Sequence, residues 1–305
     1  MTTTRTVRTD DGVVLHVEVD DGPREGGPAV VMVHGLTARL GEFDLQRETL
    51  AGRARVVLYD QRGHGASRRP GARVRGASID QLGRDLGAVL DQVAPTGEVV
   101  VLGHSMGGMT IMALARQRPE LFGPRIVGAF LLATSAGGLV EAGPVGVAVR
   151  LARRLRLLTP LLLWLRLWAR PLERLRRRGT RAGTAYVRHF LFGTDDADPV
   201  VVRNVQDLLE ETPLTVTAAF YRTLLDHDEV ASLAAMVDIP VTLLVGDADR
   251  LTPVAHSRRL AELLPDAELV VVPGAGHSVN ITRREVVDDA LLRLLARVRA
   301  QSDAA

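Results

Sequence analysis

The sequence predicts an α/β protein with a mostly parallel central sheet flanked by helices. Three observations carry this reading: short apolar runs rich in Val, Ile and Leu, amphipathic stretches alternating with them, and turn residues between the two. TVRT and VVLHVEV flank the turn signal DDG, which predicts an N-terminal hairpin. After DGPREGGP, the run AVVMVHG reads as a buried strand, and RVVLYD, EVVVLG, IVGAFLLAT, IPVTLLVG and AELVVVP repeat the type. Between them, SIDQLGRDLGAVLDQVA, MTIMALARQ, PVAHSRRLAELL and TRREVVDDALLRLLARVR carry helical periodicity. From about Leu139 to Val230 helix-like material continues without a strand. The expected organisation is therefore a core of residues 1–138 and 231–305, with a helical insertion over 139–230 lying across the strand ends.

The residue types that are missing narrow the chemistry. The 305 residues include no cysteine, which excludes disulfides, thiolate zinc sites, iron–sulfur clusters and thiol nucleophiles. They include no lysine either, which excludes a P-loop clamp, a Schiff-base lysine and a Ser-Lys dyad. With 46% hydrophobic and 24% charged residues the composition is that of an ordinary globular protein. The net charge of +2 gives no general nucleic-acid footprint, so no nucleic-acid partner is expected. MTTTRTVRTDDG has no apolar signal region, and no run of 18 uncharged apolar residues occurs, so a cytoplasmic chain without a membrane span is expected.

In VLGHSMGG the strand-like run stops at Ser105 and a helix-like run begins at once. A sharp strand-to-helix turn forces strained dihedrals, and its neighbours two positions away must be small. Gly103, Gly107 and Gly108 satisfy this. The turn would lift the hydroxyl above the carboxyl ends of the strands, where open α/β sheets bind ligands, and leave nearby amides for an oxyanion. A serine needs a histidine to take its proton and a carboxylate to orient that histidine. VTLLVGDADRLTP ends a strand at Asp247 and Asp249, and VVVPGAGHSVN ends the next at His277, which gives the order Ser, acid, His. Asp249 is the preferred acid because it lies far enough past Gly246 to bend over the sheet edge, while Asp247 reads as a local turn cap.

VMVHGLT at 31–37, DQRGHGAS at 60–67, GHSMGG at 103–108, GDADRLTP at 246–253 and GAGH at 274–277 together resemble the α/β-hydrolase family, in the family's order and over most of the chain outside the insertion. The resemblance implies Ser105 as nucleophile, Asp249 as acid and His277 as base. It implies that the backbone amides of Leu36 and Met106 form the oxyanion hole, with Gly35, Gly103, Gly107, His34 and His104 supporting the elbow and its loops. The insertion would be the family's cap. Epoxide hydrolases and haloalkane dehalogenases of this fold carry aspartate where this chain has Ser105, so serine points to acyl chemistry.

His34 and His104 lie on strand ends beside the site and read as loop-shaping groups. His64 belongs to a tight turn, and His16, His189, His227 and His256 read as solvated or structural. No histidine–carboxylate spacing matches a metal site, so neither a metal nor a cofactor is expected.

Within the insertion, Leu151, Leu155, Leu158, Leu162, Leu165, Trp168, Leu172 and Leu175 recur at helical spacing, and Arg166, Arg170, Arg174 and Arg178 form an i, i+4 row. Thr159 and Pro160 read as an N-cap and first helical residue, and Pro171 starts a further segment. Residues 150–181 hold eleven arginines against one glutamate. Two readings follow: a lid whose leucine face lines an acyl pocket, or a peripheral contact with an anionic membrane. Both favour an apolar substrate. The expected function is hydrolysis of carboxylic esters of hydrophobic or lipid-like acids. Thioester hydrolysis, acyl transfer, haloperoxidase-type perhydrolysis and carbon–carbon hydrolysis remain alternatives on the same residues, as does a silent ligand-binding role.

Overall fold

In a computed structural model, residues 1–23, 27–68, 74–139, 151–152, 154–157, 160, 164, 168, 181–194 and 198–303 are described. Strands β1 (Thr2–Arg8) and β2 (Val14–Asp20) form the hairpin, turning at Gly12 with φ 80°. They are followed by β3 (Ala29–Val33), helix α1 (Asp44–Leu50), β4 (Val56–Tyr59), α2 (Ile79–Val93), β5 (Val99–His104), α3 (Met106–Gln117) and β6 (Ile126–Leu132). After β6 come α4 (Arg181–Tyr186), a π-helical stretch (Val187–Phe192), α5 (Pro199–Glu211) and α6 (Leu214–Leu225). The chain then returns through β7 (Val241–Gly246), α7 (Val254–Leu263), β8 (Glu268–Val272), α8 (Val279–Thr282) and α9 (Arg284–Ser302).

The eight strands lie in the order β1-β2-β4-β3-β5-β6-β7-β8. Pairs β1/β2 and β2/β4 are antiparallel, and every pair from β4 to β8 is parallel. Alternate residues of the central strands feed two cores. Val31, Val33, Val101, Leu131 and Leu243 pack with residues of α2, α3 and α7, whereas Val30, Met32, Val100, Leu102, Phe130 and Leu244 pack with residues of α1 and α9. This two-sided burial explains why the strands read as unbroken apolar runs. Helix α2 starts where Ser78 Oγ accepts from the Gln81 amide at 3.1 Å, an N-cap the sequence places directly before the periodic stretch.

Between β6 and β7 the described residues contain helices, and their entry and exit lie together: Gly137 and Asp228 form an antiparallel bridge, and the Glu229 amide donates to Ala136 O at 2.6 Å. Of the leucine row, Leu151, Leu155 and Trp168 are described; Leu158, Leu162, Leu165, Leu172 and Leu175 lie outside the described residues, as do Thr159, Pro171 and Arg166, Arg170, Arg174 and Arg178. Pro160, Trp164 and Trp168 have helical backbone. No helix among the described residues is long and apolar enough to cross a membrane.

Candidate active site

Ser105 sits between the last residue of β5 and the first of α3 with φ 52° and ψ −116°, a conformation L-residues avoid. The turn is closed by the Ser105 amide donating to Leu132 O at 2.9 Å and by Thr134 Oγ1 donating to Ser105 O at 2.7 Å. Side chains are excluded around it. A Cβ on Gly103 would lie 2.6 Å from the Gly107 carbonyl, one on Gly107 would overlap the Val33 carbonyl, and one on Gly108 would strike Thr134 at 2.6 Å. The Ser105 side chain does not cap α3, so its hydroxyl is left for other work. Gly35 lies directly over the elbow, where a Cβ would come within 3.4 Å of the Ser105 Cβ.

His277 and Asp249 meet beside this turn. His277 Nδ1 donates to Asp249 Oδ2 at 2.8 Å, and both residues are buried. The other Asp249 oxygen accepts from the Leu251 and Thr252 amides at 2.8 and 2.9 Å, and Thr252 Oγ1 donates to Oδ2 at 2.7 Å. Burial works to raise the Asp249 pKa, but the His277 charge and these donors outweigh it and hold the carboxyl below its ordinary value. Nδ1 is thus committed as a donor, which leaves Nε2 as the basic nitrogen. Asp247 serves elsewhere, with Oδ1 accepting from the Gly274 amide at 2.7 Å and pinning the turn before His277.

The histidine loop is tied to the elbow through His104. His104 Nε2 donates to His277 O at 3.1 Å, and the two rings lie 4.8 Å apart between centroids. His104 Nδ1 is 2.8 Å from Glu42 Oε1, a contact of charge rather than of in-line hydrogen bonding, while Glu42 Oε2 accepts from the Gly35 amide at 2.9 Å. Burial opposes the charged form of each. Their mutual attraction prevails, raising His104 and lowering Glu42 relative to their usual values. His34 donates from Nδ1 to Gly35 O at 2.7 Å and accepts at Nε2 from the Gln61 amide at 2.9 Å, which fixes its tautomer. Burial lowers the His34 pKa and pushes that of His64 down to about 3, so both rings are neutral packing groups. Gln61 and Thr252 fall inside DQRGHGAS and GDADRLTP without any sign of their own roles, and Glu42, in the short 3₁₀ turn Leu40–Phe43, resembles in sequence a solvated turn residue.

Neither Leu36 nor Met106 donates its backbone N–H to another described residue. Met106 occupies the first turn of α3, whose positive end faces the elbow. Leu36 and Met106 also join an apolar cluster with Met109, Leu139, Phe220 and Leu224, so α6 supplies part of the wall beside the elbow. On the other side, Leu191 O accepts from the Ser278 amide at 2.8 Å, and a Cβ on Gly193 would come within 2.7 Å of the Ala248 Cβ. The π-helical stretch therefore presses on the loops that carry Asp249 and His277. His227 is buried and donates from Nε2 to Ser135 O at 3.0 Å, and His256 Nδ1 lies 2.9 Å from Ser135 Oγ, while His189 is exposed.

Such a sheet, with a serine turn after β5, an acid after β7 and a histidine after β8, defines a hydrolase architecture, and residues 28–283 match the family model described as alpha/beta hydrolase fold. The chain belongs to this family. It is 32% identical over 261 residues to an uncharacterised protein of Mycobacterium tuberculosis, covering 82% of this chain and 70% of that one. A second relative, 3-oxoadipate enol-lactonase 2 of Acinetobacter baylyi, is 28% identical over 270 residues, covering 88% of this chain and 89% of the relative. The pimeloyl-[acyl-carrier protein] methyl ester esterase of Nitrosomonas europaea is 27% identical over 268 residues, covering 87% and 92%. Among solved structures, a thermophilic esterase from Thermogutta terrifontis superposes with a TM-score of 0.72 at 25% identity, covering 97% of this chain and 99% of the other. The protein is a hydrolase of this fold.

Proposed function

We propose that the protein cleaves carboxylic esters of apolar acids through an acyl-enzyme on Ser105. The observation that carries this reading is the strained Ser105 turn directly after His104, whose ring lies 4.8 Å from that of His277, a histidine whose Nδ1 is already bound to Asp249. His277 Nε2 takes the hydroxyl proton as Ser105 Oγ bonds to the ester carbonyl carbon. The Leu36 and Met106 amides receive the developing oxyanion, and the α3 N-terminus favours its charge. Collapse of the tetrahedral intermediate expels the alcohol, which leaves with the proton from His277. A water then gives its proton to Nε2 as it attacks the acyl carbon, and collapse of this second intermediate breaks the bond to Ser105 Oγ, which takes the proton back from Nε2 as the acid is released. Asp249 keeps the imidazole in one tautomer and stabilises its protonated form.

The apolar cluster of Met106 and Met109 from α3 with Phe220 and Leu224 from α6 favours a hydrophobic acyl group, and residues 139–230 act as the cap, with α6 as their contribution to this wall. Relatives named as an enol-lactonase and a methyl ester esterase support acyl–oxygen cleavage. The test is a fluorophosphonate probe with nitrophenyl esters of rising acyl length. Wild-type protein labels and turns over, longer acyl groups raise kcat/KM, and Ser105→Ala loses both labelling and turnover with an unchanged circular-dichroism melt. Full labelling of Ser105→Ala overturns the assignment.

A further inference from the structure

Five of the twelve large hydrophobic side chains left exposed among the described residues fall within residues 151–168: Leu151, Leu155, Leu157, Trp164 and Trp168, each close to half exposed. Trp164 and Trp168 are four residues apart on helical backbone, with ring centroids 6.1 Å apart, so their indoles form one continuous surface. Exposed Arg154 and Arg156 stand among the leucines. Leu151, Leu155 and Trp168, the described members of the leucine row, thus present about half of their surface to water. Large apolar groups collected in water mark a surface that something else covers.

We infer that this surface docks on an anionic phospholipid bilayer. The charge pattern selects that occupant. Residues 150–181 carry eleven arginines against one glutamate in a chain whose total is +2. A second copy of the chain would bring the same positive charge against it, and a polyanion without an apolar phase would leave the leucines and indoles in water. A bilayer of anionic lipid satisfies both, because arginines reach the headgroups while Trp and Leu enter the acyl boundary. Tryptophan is the residue most suited to that boundary, and the chain's two tryptophans are both here. Among the described residues, none of Leu151, Leu155, Leu157, Trp164 and Trp168 belongs to the apolar cluster beside Met106.

Because Trp164 and Trp168 are the only tryptophans, selectively excited tryptophan emission reports this surface alone. The experiment titrates the full chain with phosphatidylcholine vesicles and with vesicles containing phosphatidylserine, at low and high salt. The expected result is a blue shift, protection from an aqueous quencher and co-sedimentation with the anionic vesicles, all weakened by salt. Arg154→Gln and Arg156→Gln each lower partitioning about fivefold. Trp164→Ser with Trp168→Ser lowers it further, with an unchanged circular-dichroism melt certifying the fold. Equal binding to neutral vesicles, indoles shielded from quencher without vesicles, or a dimer abolished by the tryptophan substitutions would each overturn the proposal.

Discussion

Glu42 and His104 form a buried charge pair, Oε1 to Nδ1 at 2.8 Å, that joins the loop of Gly35 to the histidine loop through His277 O. One carboxylate thus braces the segment bearing Leu36 and, through one ring, the segment bearing His277. Glu42→Gln keeps an acceptor for the Gly35 amide but removes the charge. Breaking a buried pair from one side costs about 3 to 5 kcal/mol. The sign with pH follows from the two shifts. The raised His104 contributes fully below 6.5, and its contribution is lost as pH rises through its higher folded value; the lowered Glu42 contributes fully above 4.5, and its contribution is lost as pH falls through its lower folded value. The stability gap between wild type and Glu42→Gln, read from denaturant melts, is therefore widest between pH 4.5 and 6.5 and narrows on both sides. A gap independent of pH contradicts the pairing.

Asp249 and Asp247 separate by function when each is made Asn. Asp249→Asn presents an amide to His277 and is expected to lower kcat by about 10⁴ through the wrong tautomer. Asp247→Asn loses only the charge at the Gly274 amide and leaves kcat within about threefold, with a small loss of stability. Steady-state kinetics on a nitrophenyl ester ranks the two, and the opposite order sinks the assignment.

The backbone at Ser105 stores strain that glycine relieves. Ser105→Gly and Ser105→Ala are both expected to be inactive, yet the glycine variant is expected to be more stable than the alanine variant by about 1 kcal/mol, because only glycine accepts φ 52° with ψ −116° without a Cβ clash. Paired thermal melts measure this; equal melting temperatures would show a relaxed turn.

Gly107→Ala tests the packing of the elbow on β3. The new Cβ would overlap the Val33 carbonyl, a backbone atom in the central sheet that cannot swing aside. The variant is expected to be insoluble or to lose about 3 kcal/mol, the upper end of the usual cost of overpacking. A soluble variant with the wild-type melting temperature would mean that the strand and helix separate more easily than their contacts imply.

The strands from β3 to β7 are legible in the sequence because they are buried on both faces and read as continuous apolar runs, and β8 at the sheet edge shows in AELVVVP in the same way. Helix α3 begins at Met106, three residues before the periodic stretch MTIMALARQ, because Gly107 and Gly108 carry no periodicity while serving close approach. The order of strands, with β4 inserted between β2 and β3, is not legible, since it depends on crossovers rather than on any local pattern. At the site, glycine spacing and strand ends point to Ser105, Asp249 and His277. The Glu42 brace does not show, because a carboxylate buried by tertiary contacts looks in sequence like one facing water.

The bridge between Gly137 and Asp228 has a consequence for how this protein can change over generations. The segment it encloses departs from and returns to nearly one point, so the sheet experiences that segment as a loop with fixed ends. The entropy of closing such a loop grows only with the logarithm of its length, about 0.6 kcal/mol for each doubling. Changes of length between those two residues therefore cost the sheet little, provided that the stretch packed on the loops of Asp249 and His277 and the helix that walls the elbow are kept, so the ends of the segment set its tolerance and those contacts set its limits.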